Sequence, residues 1–258
     1  MADLIESPDH PFHGIFEKLK RANENIVNLD GEILSFFQKC KYPVIPDAKD
    51  KEWEDALNYH RSLQVPKRFS VLTGEIIHHL RSCLDHIVWH FSSPAARRDH
   101  ENVLEFPIFR DPLTKKEQPR YNRKVQGIVK PRVLALVEQL QPYHRGLDAI
   151  DDSLCIIHDM DRFDKHRELL IVTACANIVF PAGSSMAGVI SAIAYREGKT
   201  LSAVELDAAQ RAIKNDAKIH PQVAFAKFGN REDQLVVPSV AKLSHAICDV
   251  LDLFLGEI

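Results

Sequence analysis

Arg81, Asp85 and His86 stand close together in the stretch Thr73–Phe91, TGEIIHHLRSCLDHIVWHF. His79, Cys83, His86 and His90 recur there at i, i+4, i+7 and i+11, which places them on one narrow face of a helix. Pairs such as His79–Cys83 or His86–His90 can chelate a metal from adjacent turns, with a third ligand from His158, Asp161 or His166. A second polar group, Asp164-Lys165-His166-Arg167, follows further on. If its helix packs beside the first, Arg81 or Asp85 pairs with the 164–167 segment in a buried ion-pair network that is purely structural. A third group is basic: Arg110, Lys115, Lys116, Arg120, Arg123 and Lys124 stand against only Asp111 and Glu117. A mobile loop of this kind holding Tyr121 would contact phosphates and stack on a base; otherwise it is a solvated surface loop.

These groups need elements to hold them. Ile76, Ile77, Leu80, Leu84, Ile87 and Phe91 follow helical spacing, so Thr73–Phe91 reads as an amphipathic helix. Thr73 is its expected N-cap, Glu75 sits near the positive end, and Pro94 stops it. Residues 14–39 begin as a helix, which Gly31 interrupts; Ile33–Phe37 follows as a strand or a last turn. Trp53–Leu63 reads as a short helix or an edge strand, with extended structure favoured around Asn58–Val65. Ser92–Gln126, with Pro94, Pro107, Pro112 and Pro119, reads as a long irregular stretch. Val129–Leu140 and a segment from Asp151 or Asp152 to Leu169 are helical, with Leu154, Ile157 and Met160 inward. Leu169–Phe180, Gly188–Tyr195 and Gln222–Phe228 have strand character, and Leu201–Asn215 that of a helix. Pro238–Phe254 closes the chain as an amphipathic helix. The expected class is α+β: a helical bundle with a small antiparallel β-sheet in the C-terminal half. One domain over 1–258 is expected, with a helical core at about 14–170, the sheet at about 169–229 and the closing helix at about 238–255.

With 258 residues, 45% hydrophobic and 27% charged, the chain has the composition of an ordinary globular protein. Its net charge of −3 argues against a globally basic nucleic-acid binder, though not against a local basic patch. The opening MADLIESPDHPF has neither the basic start nor the apolar run of a signal peptide, and no stretch is long enough to span a bilayer. Five scattered cysteines without CxxC spacing read as reduced thiols. A cytoplasmic protein without membrane contact is expected. There is no glycine-rich phosphate loop, GxSxG or HExxH, so common nucleotide, serine-hydrolase and zinc-protease chemistries lack support.

GEIIHHLRSCLDHIVW resembles a helix that reads roughly GxxLHNLRSALDHLVW in a family of uncharacterised bacterial proteins. Phe106-Pro107-Ile108, Gln141-Pro142-Tyr143 and Asp164-Lys165-His166-Arg167 match that family's FPI, QPY and DKHR segments in the same order. His79 departs from its usual Asn. The resemblance covers about two-thirds of the chain and brings no established activity. More remotely, Arg81 and His86 resemble the R-x4-6-H signature of HEPN domains, helical bundles of which many are metal-independent ribonucleases. That resemblance implies Arg81 on the scissile phosphate and His86 as acid or base, supported by Asp85. It further implies RNA contacts from Lys165, His166, Arg167, Arg120, Arg123 and Tyr121, no cofactor, and a homodimer through the Thr73–Phe91 helix. Residues i and i+5 lie about 140° apart on a helix, so two copies would have to complete one site. Ser82 departs from the larger polar residue common after the Arg of active members. Two alternatives stand beside this RNA endonuclease of toxin or defence type. One is a non-catalytic structural or protein-interaction protein with a buried salt-bridge network. The other is a metal-binding bundle using His79, Cys83, His86 and His90, similar to DinB-like proteins in general idea only.

Overall fold

A computed structural model describes residues 7–41, 55, 58, 59, 62–166, 172–179, 218–225 and 234–258. The chain divides into two compact units, one of Met1–Asp30, Lys67–Ile171 and Val236–Ile258, the other of Gly31–Pro66 and Val172–Leu235.

The first unit is a helical bundle. Its centre is α2, Lys67–Phe91, preceded by the first part of α1, His13–Gln38. The short helices α3, Pro94–Asp99, and α4, Gln118–Val125, come next, then α5, Pro131–Gln139. A 3-10 segment, Pro142–Asp151, leads into α6, Ser153–His166, and α7, Val236–Leu255, closes the unit. Helices α6 and α7 pack directly on α2. Ile76, Ile77, Leu80, Leu84, Ile87 and Val88 of α2 are fully buried. Each such side chain contributes about 1.5–3 kcal/mol relative to exposure. The start of α1 covers another side of α2: Asn25 donates to Glu75 at 3.3 Å, and the Phe12 ring meets Phe91 with centroids 5.9 Å apart.

Several expected boundaries shift. Helix α2 starts before Thr73, because Phe69 and Leu72 continue its apolar face from just after Pro66. Thr73 therefore caps nothing; its hydroxyl donates back to the Phe69 carbonyl at 2.7 Å within the helix. Gly31 does not break α1. A mid-helix glycine costs about 1 kcal/mol, and the apolar spacing simply continues through Leu29, Ile33 and Phe37. The stretch 92–126 is not irregular throughout, since it contains α3 and α4. Ser93 caps α3, accepting from the Ala96 N–H at 3.2 Å, with Pro94 in the first turn. Asn58, Tyr59 and Ser62 are helical, not extended. Asp152 does open α6, accepting from the Leu154 N–H at 2.9 Å.

In the second unit β1, Val172–Val179, pairs antiparallel with β2, Lys218–Phe225, in a register that sets Ala174 against Val223. Among the described residues this single ladder stands in place of the expected three-strand sheet. The expected strand 188–195 and helix 201–215 lie outside the described residues. The helical bundle is the part of the expected architecture that the structure displays.

The chain returns to the end of α2 at Gly127. Ser93 N–H donates to the Gly127 carbonyl at 2.9 Å, and Ser92 bridges Ile128. A Cβ on Gly127 would lie 2.7 Å from the Ser92 Cβ and 2.9 Å from the Ala96 Cβ, too close for either short, stiff neighbour to yield. Gly127→Ala should therefore lower unfolding free energy by about 1–3 kcal/mol. Denaturant unfolding checks this, and the loss should shrink in a Ser92→Gly background.

Candidate functional site

The polar side of α2 is organised around one buried guanidinium. Arg81 is 3% exposed. Its Nη2 donates to the Phe106 carbonyl at 2.8 Å, and its Nη1 lies 2.7 Å from Asp85 Oδ1 as an ion pair without an aligned hydrogen bond. Asp85 Oδ1 also accepts from the Phe106 N–H at 2.9 Å. Two side chains one helical turn apart thus take both backbone groups of a single residue, as a neighbouring strand would. Glu105 Oε2 approaches Arg81 at 3.8 Å, and Glu105 forms a second ion pair with Lys124 of α4.

The next residues of this extended segment are held in the same way. Gln141, fully buried at the end of α5, donates to the Pro107 carbonyl at 2.8 Å and to the Val137 carbonyl at 2.9 Å. Its Oε1 accepts from the Phe109 N–H at 3.2 Å, and the Tyr143 N–H donates to the Phe109 carbonyl at 3.2 Å. The Phe-Pro-Ile and Gln-Pro-Tyr strings therefore meet each other and the Leu-Arg-Ser helix at one place. The expected pairing of α2 with the 164–167 segment takes a different form. His78 Nδ1 lies 3.2 Å from Asp161, which also pairs with Lys165 at 2.9 Å. The Asp164 carboxylate sits against Gly74, where a side chain would occupy its space.

Burial and charge shift the proton affinities here. Burial pushes Asp85 up, while Arg81 and the Phe106 N–H pull it back. Burial and the Arg81 charge hold Lys124 down to about 8, with Asp85 opposing, so Lys124 remains protonated at neutral pH. Burial, then Arg81, holds His158 down to about 4, so it is a neutral imidazole near neutral pH.

The remaining sequence candidates are dispersed. His86 is exposed, away from the buried Arg81 on the same helix. Its proton affinity is lowered by partial burial and by Lys18. The four-residue metal stripe does not gather. Cys83 is buried, its thiol donating to the Ile15 carbonyl at 3.6 Å, and burial raises its pKa to about 12. His90 is edge-on to Phe12 at 5.1 Å, and the half-buried His79 is lowered by burial and the Lys18 charge. Among the described residues no three His, Cys, Asp or Glu side chains form a group that could hold a metal ion. Tyr121 belongs to helix α4 and not to a mobile loop; its ring is buried 6.1 Å from Phe109, so stacking on a base would require it to leave the core. Arg120 and Arg123 remain on the exposed face of α4, Arg120 lying over the Phe109 ring at 5.9 Å. Lys165 is half-exposed beside Asp161. The His166 side chain and Arg167 lie outside the described residues. No helix among the described residues is long and apolar enough to cross a membrane.

Glu105 and Gln141 went unread as partners in the sequence. The one signal for Gln141 was its place, a large polar residue at the end of an apolar helix. No protein-family model matches the chain, and no curated protein or solved structure matches it either.

The His158 environment gives a pH signature. The unfolded chain takes up a proton at His158 below about pH 6.5, whereas the folded protein resists this until about pH 4. Stability is therefore present above pH 6.5 and falls as pH drops from 6.5 to 4. The loss should be on the order of 3–4 kcal/mol at about 1.4 kcal/mol per unit. Unfolding measured across this range should flatten in His158→Gln.

Proposed function

We propose that the Arg81 cluster is a structural clamp and that this protein acts through its surface contacts, without a catalytic centre on α2. The observation that carries the reading is the burial of Arg81 among its charge partners. Its guanidinium is buried, engaged at Nη1 and Nη2, and balanced in charge: Arg81 and Lys124 face Asp85 and Glu105. A phosphate would reach Arg81 only by displacing Asp85 or the Phe106 carbonyl. The displaced group would then remain in the interior with its hydrogen bond or charge unpaired.

A second reading keeps one observation in its favour. His86 is exposed, and its lowered affinity for protons leaves it neutral near pH 7, able to accept a proton. An RNA endonuclease of the HEPN kind would use that imidazole, with a second copy of the chain supplying the phosphate contact.

Chelator-treated protein incubated with a mixed RNA pool separates the two. On the clamp reading, the wild type leaves the RNA intact. Arg81→Ala then loses about 3–5 kcal/mol of stability, since Asp85 stays behind partly buried, and Arg81→Lys recovers little of it because the fork geometry is lost. Metal-independent cleavage by the wild type that disappears in a His86→Ala variant of unchanged melting temperature would instead establish the nuclease.

A further inference from the structure

We propose that His10, His90, Arg97 and Lys130, gathered at the C-terminal end of α2, form a binding site for a tetrahedral oxyanion of the phosphate type. Separate stretches of chain meet there. The segment before α5 runs alongside the end of α2, where the Val129 N–H donates to the Phe91 carbonyl at 3.4 Å. Lys130, next in that segment, lies 5.7 Å from the centre of the Phe91 ring. Arg97 of α3 donates through Nη2 to the His90 carbonyl, and its guanidinium lies 5.8 Å from the centre of the Trp89 ring. The His90 ring meets Phe12 edge-on at 5.1 Å, and His10 in turn stands edge-on to Phe12 at 6.3 Å.

What this end lacks is negative charge. Burial, then the charges of Arg97, Lys130 and His10, lowers the proton affinity of His90, and no carboxylate acts on it in the opposite sense. His79 and His86, further back on the same helix, each have one, Glu75 and Asp85. Glu257, whose backbone carbonyl accepts from Lys130, has its carboxylate beside Arg132 at 3.6 Å. Arg97 Nε is buried without a hydrogen-bond partner, so the Arg97 charge is met only by a carbonyl and a ring. One unpaired surface cation is ordinary. Several that converge on a single imidazole repel one another, and an anion from solution relieves that repulsion.

The donors select the kind of anion. Arg97 and Lys130 each keep hydrogens beyond those given to the two carbonyls. His10 Nδ1 accepts from the Phe12 N–H at 3.0 Å, so in the neutral ring Nε2 carries the hydrogen and can donate. Donors brought together from four stretches of chain suit the several oxygens of a tetrahedral anion better than the two coplanar oxygens of a carboxylate. Trp89, 39% exposed, borders the site and offers a surface to a planar group carried on a phosphate ester. None of these residues takes part in the Arg81 clamp, so the site stands whether or not α2 proves catalytic.

The full chain has two tryptophans, Trp53 and Trp89, so their indole N–H signals in a proton–nitrogen NMR spectrum supply a reporter and an internal reference. Trp89→Phe assigns the reporter. Inorganic phosphate, titrated against chloride at constant ionic strength, should shift the Trp89 signal saturably and leave Trp53 unmoved. Lys130→Gln should weaken binding about tenfold, as expected for one charge-assisted hydrogen bond. Lys130→Glu places a carboxylate in the site and should abolish the shift; Lys130 is exposed, so both variants should keep the wild-type melting curve. Lys116→Gln removes the same charge from an exposed position on another segment and should change nothing. AMP separates the two sources of the anion: affinity equal to that of phosphate assigns the site to the free ion, and tighter binding with a larger Trp89 shift assigns it to a phosphate ester. An unsaturated drift shared by both tryptophans overturns the proposal. So does equal weakening by Lys116→Gln, which would mean attraction by net charge alone.

Discussion

An extended segment inside a helical bundle has no strand beside it, yet its peptide groups must be hydrogen-bonded when water is excluded. Leu104–Phe109 meets this constraint with side chains. Arg81 and Asp85 take the carbonyl and the N–H of Phe106, Gln141 takes the Pro107 carbonyl and the Phe109 N–H, and the Tyr143 backbone takes the Phe109 carbonyl. Proline at 107 has no N–H to satisfy, which leaves one donor fewer to place. The Phe106 ring is then fixed in the core, edge-on to Phe254 of α7 with centroids 6.5 Å apart. The clamp thus ties α2, α5 and α7 through one short piece of chain.

At that clamp Arg81 and Lys124 bring charge into the interior. Arg81 is costly to bury, and its cost is offset by a carboxylate at 2.7 Å, a carbonyl at 2.8 Å and a second carboxylate nearby. Lys124 balances that second carboxylate in turn. Burial, helped by the same positive charges, keeps His158 neutral near neutral pH. A cluster with shifted proton affinities is a common mark of catalysis, but structural ion-pair networks shift them equally well.

The helices were legible because a core-facing helix repeats its apolar residues at a spacing that only burial explains. The inward residues of α6 read correctly: Leu154, Ile157 and Met160 are all buried. Boundaries were less legible where a local rule met tertiary context. Thr73 has the right chemistry for a cap but sits on a face that packing extends backward to Phe69. Gly31 looks like a breaker, yet its neighbours bury enough to carry the helix through. The polar site was half legible. The expected ion-pair network set Arg81 or Asp85 against the 164–167 segment, whereas the two residues pair with each other one helical turn apart. That their shared target is the backbone of Phe106 was not readable, because the contact spans sequence positions that no periodicity links.

The same geometry explains why a short signature is weak evidence for an activity. Arg-x4-His fixes only an angle of about 140° on one helix, and that angle sends the two residues to different environments. In α2 the apolar stripe determines which goes where. Arg81 follows Leu80 and Leu84 into the interior, where a charge must find partners or the fold fails, while His86 turns outward and is left exposed. A signature residue drawn inside is therefore bound by the fold's requirements before any substrate arrives. The strings Phe-Pro-Ile and Gln-Pro-Tyr serve the same requirement. Their shared position around one extended segment is what a fold constraint produces, and a surface made elsewhere on the bundle is free of it.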